Sequence, residues 1–356
     1  MRSVAASAIW KNRQVQVGPP RGLKRISVQV AHAAIRRCAV SVEGTGELQR
    51  IFVGDIQGCA DEFDELLDRA RVDFGESFEI WAVGDLINRG PDNLRVLSRM
   101  RELVEAGRGR VVLGNHELGL LLVHAGLAQL KRRDTYFDVL NSRSREAWIE
   151  WLRRLPLAAT GVLPVGSDTA GPSAVSTQPF AMVHASVHPE WDLAELERRA
   201  RSAEERLADP DALGWRSFLG AREGSEFETL ERLVSCRSVM KTDIPKDGKS
   251  WSSNPPKHGE GKEFIPWHRA WSARHHHYGI VYGHWAQQGL HVGENLRGLD
   301  TGCVHHGRGR EGSLTAWLPD PNAPLPFAAP VDGLDDRLWH IPARRAYYAE
   351  KLSKDG

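Results

Sequence analysis

Three acid- or amide-bearing positions recur at intervals of thirty residues: Asp55, Asp85 and Asn115. Each follows a short hydrophobic run, in IFVGDIQG at 51–58, IWAVGDLINRG at 80–90 and RVVLGNHE at 110–117. Two histidines obey the same plan, His184 ending AMVHA and His284 in GIVYGHWA. Carboxylate, amide and imidazole donors gathered at strand ends suit intermediate divalent ions such as Mn²⁺, Fe²⁺ or Zn²⁺. A two-oxygen carboxylate, here Asp85, can bridge two ions roughly 3.5–4 Å apart, and such pairs activate water for in-line displacement at phosphorus. Phosphoryl transfer also needs positive charge on the non-bridging oxygens and a proton for the leaving group. Arg89 and His116 stand beside the ligand runs for those tasks.

The spacing dictates the elements that must position these residues. A strand, a helix and a return strand take roughly thirty residues, and right-handed crossovers bring successive strands back parallel, with their C-terminal ends on one ligand-binding edge. Helical periodicity in the gaps agrees: Phe63, Leu66, Leu67 and Ala70 within 61–72, and Leu94, Leu97, Met100, Leu103 and Val104 within 93–106. Gly54, Gly84 and Gly114 precede the three donors, and a tight turn at each is expected to aim the next side chain outward. An amphipathic helix is expected over 145–155, stopped by Pro156. Residues 164–179 read as a Gly/Pro/Ser/Thr surface loop, 192–235 as helix broken near Pro210 and at 220–224, and 243–263 as a loop or lid edge.

Composition sets the frame. At 356 residues with 41% hydrophobic residues the chain can bury one large core and an accessory lobe. Net charge is +1, so anion recognition must be local and no DNA-binding surface is advertised. No apolar run of about 18 residues suggests a membrane span. Cys38, Cys59, Cys236 and Cys303 are scattered without metal-type pairing, as expected for a reducing compartment, so a cytoplasmic enzyme is expected. Residues 1–47 form a basic extension read as disordered, 48–320 a catalytic domain with a cap and loop region at about 190–270, and 321–356 a tail packed on it.

GDIQG (54–58), GDLINRGP (84–91), GNHE (114–117), MVHA (182–185), YGHWA (282–286) and LDTGC (299–303) together resemble the calcineurin-like metallophosphoesterases of the phosphoprotein-phosphatase type. The flanks WLRRLPL (151–157), HPEWDL (188–193) and Pro266-Trp267 resemble the bacterial symmetrical bis(5′-nucleosyl)-tetraphosphatase branch. The resemblance spans roughly 50–318. It implies an α/β sandwich of two mixed sheets flanked by helices with a helical cap, and two divalent ions, Mn²⁺ foremost with Fe²⁺, Co²⁺ or Zn²⁺ as alternatives. Metal contacts would come from Asp55, Gln57, Asp85, Asn115, His184 and His284, with His116 as general acid and Arg89 as phosphate clamp. The implied reaction splits diadenosine tetraphosphate into two ADP by attack of a metal-bound hydroxide. Nucleotide-capped RNA ends present the same anhydride.

Departures from the pattern matter as much. Gln57 replaces the family's usual histidine with a weaker neutral donor, and Asn88 replaces the aspartate of similar protein phosphatases. SVMK (238–241) stands where the branch has T-R-M-R, leaving Arg237 and Lys241 to reach phosphate, and residues 305–311 look inserted. Trp267, Trp271 and Trp285 have faces able to stack on adenine, although such aromatics more often pack; Trp285 is kept as a substrate-binding candidate. Asp300 and Thr301 read as structural, and His275 to His277 as a partly solvated edge. A serine/threonine phosphatase and a nucleotide-binding pseudo-phosphatase remain open as alternatives, as does the oligomeric state.

Overall fold

Alternation along the first strands decides the layers. In β1 (Gln49–Val53) Ile51 and Val53 point opposite to Phe52, and in β2 (Phe78–Ala82) Ile80 and Ala82 oppose Trp81. The first set packs with Phe63, Leu66, Leu67 and Ala70 of α1 (Ala60–Phe74) and with Val96, Leu97 and Met100 of α2 (Asn93–Glu105). Phe52 and Trp81 instead meet Phe180, Met182 and Val281 from a second sheet. The Phe180 ring lies 5.2 Å from Phe52 and 5.3 Å from Trp81, both edge-on, an arrangement aromatic quadrupoles favour.

The computed structural model describes residues 48–166, 176–241, 250–256, 263–307, 309–329 and 337–347, all within the unit Glu47–Gly356. The expected extension at 1–47, most of the expected loop at 243–263 and parts of the expected tail lie outside the described residues.

Two mixed sheets form the sandwich, as the sequence implied. In the first, β1, β2 and β3 (Gly109–Val111) run parallel, and β12 (Ser313–Trp317) and β13 (Leu338–Pro342) extend it antiparallel beyond β1. In the second, β5 (Ser176–Val183), β9 (Gly279–Tyr282) and β11 (Leu296–Gly298) are parallel. β4 (Ala158–Val165) and β10 (His291–Gly293) are its antiparallel edges. Helices α3 (Asn115–His124), α4 (Phe137–Leu140) and α5 (Arg145–Leu152) follow β3. Between β5 and β9 come α6 (Leu193–Leu207), α7 (Ala212–Ala221) and α8 (Ser225–Ser235), then a small sheet of β6 (Ser238–Met240), β7 (Trp251–Ser252) and β8 (Phe264–Pro266), then α9 (Trp267–Ser272). Among the described residues no helix is long and apolar enough to cross a membrane.

Two expectations are corrected. Residues 164–179 are not one loop: β4 and β5 pair from Ala158↔Val183 out to Val165↔Ser176. Polar and proline-containing sequence masked the pairing, yet β4 is an edge strand, where Pro164 is tolerated. Of the three glycines, only Gly84 has the positive φ of a tight turn, at 96°. Gly114 is extended (φ −96°) and serves closeness instead: a Cβ there would lie 2.3 Å from Asp85 Oδ1.

Candidate metal centre

The strand ends deliver their donors to one buried edge. Asp55 and Asp85 follow β1 and β2, Asn115 opens α3 directly after β3, His184 follows β5, and His284 lies two residues past β9. Donor atoms of Asp55, Asp85 and His184 all lie within 4.8 Å of one another. Asn115 Oδ1 sits 3.0 Å from His184 Nε2 and 2.6 Å from His284 Nδ1. Gly283 lets the second sheet approach this closely, since a Cβ there would fall 2.0 Å from Asp55 Oδ1.

Backbone strain marks the same place. Of the eight non-glycine residues with positive φ among the described residues, five belong here: Gln57, Asp85, Asn88, Arg89 and His284. Such conformations cost about 1–3 kcal/mol each and persist where surrounding structure over-determines them. Glu117 shows how this is done. Its buried carboxylate accepts the backbone N–H groups of Asp85 at 2.9 Å, Gly114 at 3.0 Å and Ile87 at 3.2 Å, tying the β2 and β3 loops together.

The donor set fits a cation. His184 Nδ1 lies 2.9 Å from the Val83 carbonyl, which can only accept, so the ring proton sits on Nδ1 and Nε2 is a bare lone pair aimed at Asn115 Oδ1 and, at 3.4 Å, Asp85 Oδ1. In His284 the Ser235 carbonyl, 3.1 Å from Nε2, leaves Nδ1 bare toward the same Asn115 oxygen. Both rings are neutral: burial above all drives His184 down to about 3, and burial and then Arg237 hold His284 well below the usual range. Acceptors facing acceptors in a buried site favour a positive charge coordinated by both. A histidine anchored by its far nitrogen to a carbonyl is the usual outer support of a metal ligand. The carboxylates agree, because burial, followed by Asp300 and Asp85, pushes Asp55 well up, and burial raises Asp85 to about 7.

The remaining candidates divide. His116 donates its backbone N–H to Asp85 Oδ1 at 2.8 Å; its Nε2 lies 3.5 Å from Asp85 Oδ2, and among the described residues its buried Nδ1 has no hydrogen-bond partner. Gln57 Nε2 donates to Asp85 Oδ2 at 3.3 Å, so as placed its nitrogen faces that carboxylate. Arg89 lies 3.5 Å from Asp134 and is close enough to influence both Asp85 and His116. Arg237 donates to the His284 carbonyl at 3.1 Å, and Asp300, Asp85 and Asp55 act on it electrostatically. Lys241 is exposed just past β6, and among the described residues no hydrogen bond or ion pair joins it to the cluster. Trp285 is half-buried beside His268, whereas Trp267 and Trp271 are core residues. His275 and His277 are exposed, and His276 is half-buried and stacks on Trp271.

Two residues matter more to the site than the sequence indicated: Asp300, expected to be structural, and Glu117. Asp300 is a buried member of the carboxylate group, raised to about 7 by burial and then Asp85. It follows β11 just as Asp55 follows β1, which was the available signal. Glu117 was visible only as the last letter of GNHE.

Residues 49–235 match the model of the calcineurin-like phosphoesterase family, and the chain belongs to that family. It is 34% identical over 266 residues to the symmetrical bis(5′-nucleosyl)-tetraphosphatase of Ralstonia nicotianae, covering 72% of this chain and 86% of that one. With the protein of the same name from Nitrosospira multiformis the identity is 35% over 271 residues, 74% and 90% of the two chains. A crystal structure described provisionally as a diadenosine tetraphosphatase superposes with a TM-score of 0.45 at 23% identity, covering 83% of this chain and 94% of that one.

Proposed function

We propose that this chain is a metal-dependent hydrolase of dinucleoside polyphosphates that cleaves diadenosine tetraphosphate symmetrically into two ADP. The observation that carries the reading is the convergence of two bare imidazole nitrogens, an amide oxygen and two buried carboxylates on one edge, in a chain about a third identical to symmetrical tetraphosphatases over most of its length. Asp55, Gln57, Asp85, Asn115, His184 and His284 would hold two divalent ions, Mn²⁺ foremost. When bound, the ions supply Lewis-acid polarisation of phosphoryl oxygens and activation of a water.

The protein's own groups supply the rest. Arg89 and Arg237 both act electrostatically on Asp85, and their charge would favour the equatorial oxygens of a phosphorus under attack. His116 Nε2 stands 3.5 Å from Asp85 Oδ2 and would protonate the leaving oxygen. Trp285 offers a half-buried face to a nucleobase. Residues 48–320 are the proposed catalytic domain, acting in the cytoplasm, and nucleotide-capped RNA ends fall within the same chemistry.

A protein-phosphatase reading is disfavoured by Asn88. Its side chain carries no charge and is spent on structure, accepting the backbone N–H groups of Arg89 and Thr135 and donating to Asp134. The deciding experiment incubates the full chain with Mn²⁺ and diadenosine tetraphosphate and resolves products by chromatography, with Asp85→Asn as the inactive control. ADP alone supports the proposal, AMP plus ATP refutes symmetrical cleavage, and no turnover favours the pseudo-phosphatase.

A further inference from the structure

We propose that Cys59, Glu62 and Cys303 form a second metal site, closed and structural, that takes a thiophilic divalent ion such as Zn²⁺. Nothing in the sequence announces it, because its thiols are 244 positions apart and neither belongs to a paired-cysteine motif. The fold brings them together. Cys59 caps the start of α1, Glu62 lies in the first turn of that helix, and Cys303 opens a short 3-10 turn after Asp300.

One ligand atom from each of the three lies within 4.8 Å of the other two. With Zn–S near 2.3 Å and Zn–O near 2.0–2.2 Å, the ligand atoms of a tetrahedral site sit roughly 3.5–3.8 Å apart, so only small side-chain movements are needed. All three residues are fully buried, Glu62 and Cys59 at 0% exposure and Cys303 at 1%, which is the closed character of structural rather than catalytic zinc.

A buried carboxylate beside two thiols is also more than simple packing requires. Two adjacent cysteines alone would be an ordinary apolar contact or a disulfide, and neither needs Glu62. Here the carboxylate is held in place from outside, as a ligand would be: Arg344 donates its backbone N–H to Oε1 at 2.7 Å, and the Tyr347 hydroxyl donates to Oε1 at 2.6 Å. Tyr347 Oη stands next in line as a fourth ligand. Binding would release the two thiol protons to solvent, leaving thiolates, a carboxylate and a neutral phenol around the ion. The ion would join the loop behind Gln57, the turn behind Asp300 and the segment following β13.

Spectroscopy separates this site from the candidate metal centre, whose donors are oxygen and nitrogen only, so sulfur-to-metal charge transfer reports this site alone. The full chain is stripped with chelator, kept reduced with a phosphine and titrated with Co²⁺. A near-ultraviolet sulfur-to-cobalt band should appear and saturate at the intensity of one thiolate site per chain, even though the other centre also takes up Co²⁺. Cys303→Ser should reduce it to roughly half or less, since one thiolate remains. Cys236→Ser should leave it unchanged, because that thiol points at the Ser238 carbonyl instead. Absence of the band in the reduced wild-type chain overturns the proposal whatever the variants do. A band that keeps its full intensity in Cys303→Ser, with far-ultraviolet circular dichroism showing the variant folded, overturns it equally.

Discussion

Asn115 Oδ1 lies 2.6 Å from His284 Nδ1, and the Ser235 carbonyl on the other side of the ring leaves that nitrogen without a proton. Two lone pairs at such a separation in a buried site repel, and a cation held by both atoms would relieve them. The pair therefore yields the first prediction. Asn115→Ala should weaken Mn²⁺ binding by roughly ten-fold or more, read by calorimetric titration of the chelator-stripped chain. Unchanged affinity would remove Asn115 from the ligand set.

A second prediction concerns pH in the stripped protein. Asp85 and Asp300 stand at about 7 against an ordinary 3.8, and Glu117 at about 8 against 4.5, in each case chiefly because burial disfavours the charge. A folded-state pKa raised above its unfolded value gives stability that is whole below the unfolded value and is lost as pH climbs toward the folded one. His184, lowered to about 3 from 6.5, works in the opposite direction, but its effect is complete above pH 6.5. Between about pH 6.5 and 8 only the carboxylates remain to act, each worth up to about 1.4 kcal/mol per pH unit. The melting temperature of the chelated chain should fall across that window. Added Mn²⁺ should raise it more at pH 8 than at pH 6.5, and a flat profile in chelator would contradict the burial of these groups as acids.

The strand-end donors were readable from sequence because their repeat is local: a hydrophobic run, a glycine and a donor, again and again. Glu117 was not singled out and Asp300 was read only as structural, since one works by accepting backbone N–H groups from two other loops and the other by facing Asp55 across the sandwich. Neither relation has a spacing. The β4–β5 hairpin hid for a different reason, as its pairing is carried by backbone hydrogen bonds that Pro, Ser and Thr side chains do not announce. Asn88 was read for the charge it lacks; the structure adds the loop it organises, through Thr135 and Asp134.

Gln57 supplies a third prediction. Its amide donates to Asp85 Oδ2 at 3.3 Å from a left-handed backbone with φ 50°. Imidazole is a stronger donor toward intermediate divalent ions than a neutral amide oxygen. Gln57→His should lower the Mn²⁺ concentration giving half-maximal rate. If the titration does not move, Gln57 acts through its hydrogen bond to Asp85 and not as a ligand.

His116 carries the last prediction. In the folded chain burial, and then the nearby Arg89, hold its imidazole well below the usual histidine range, so without substrate the ring is neutral. A polyphosphate brought to the same edge reverses the electrostatics, because its negative charge favours the imidazolium that must give up a proton. Asn88 adds nothing to that balance, since its side chain is spent on the backbone of Arg89 and Thr135 and on Asp134. General-acid catalysis contributes roughly 10²–10⁴ in rate, and ADP is a fairly good leaving group, so His116→Asn should cost toward the lower end on diadenosine tetraphosphate. An aryl phosphate with a nitrophenolate leaving group scarcely needs the proton, and its hydrolysis should suffer less. The ratio of the two defects is the measurement. Equal losses on both substrates would make His116 a phosphate-binding or positioning residue, holding its place at Asp85 without donating a proton.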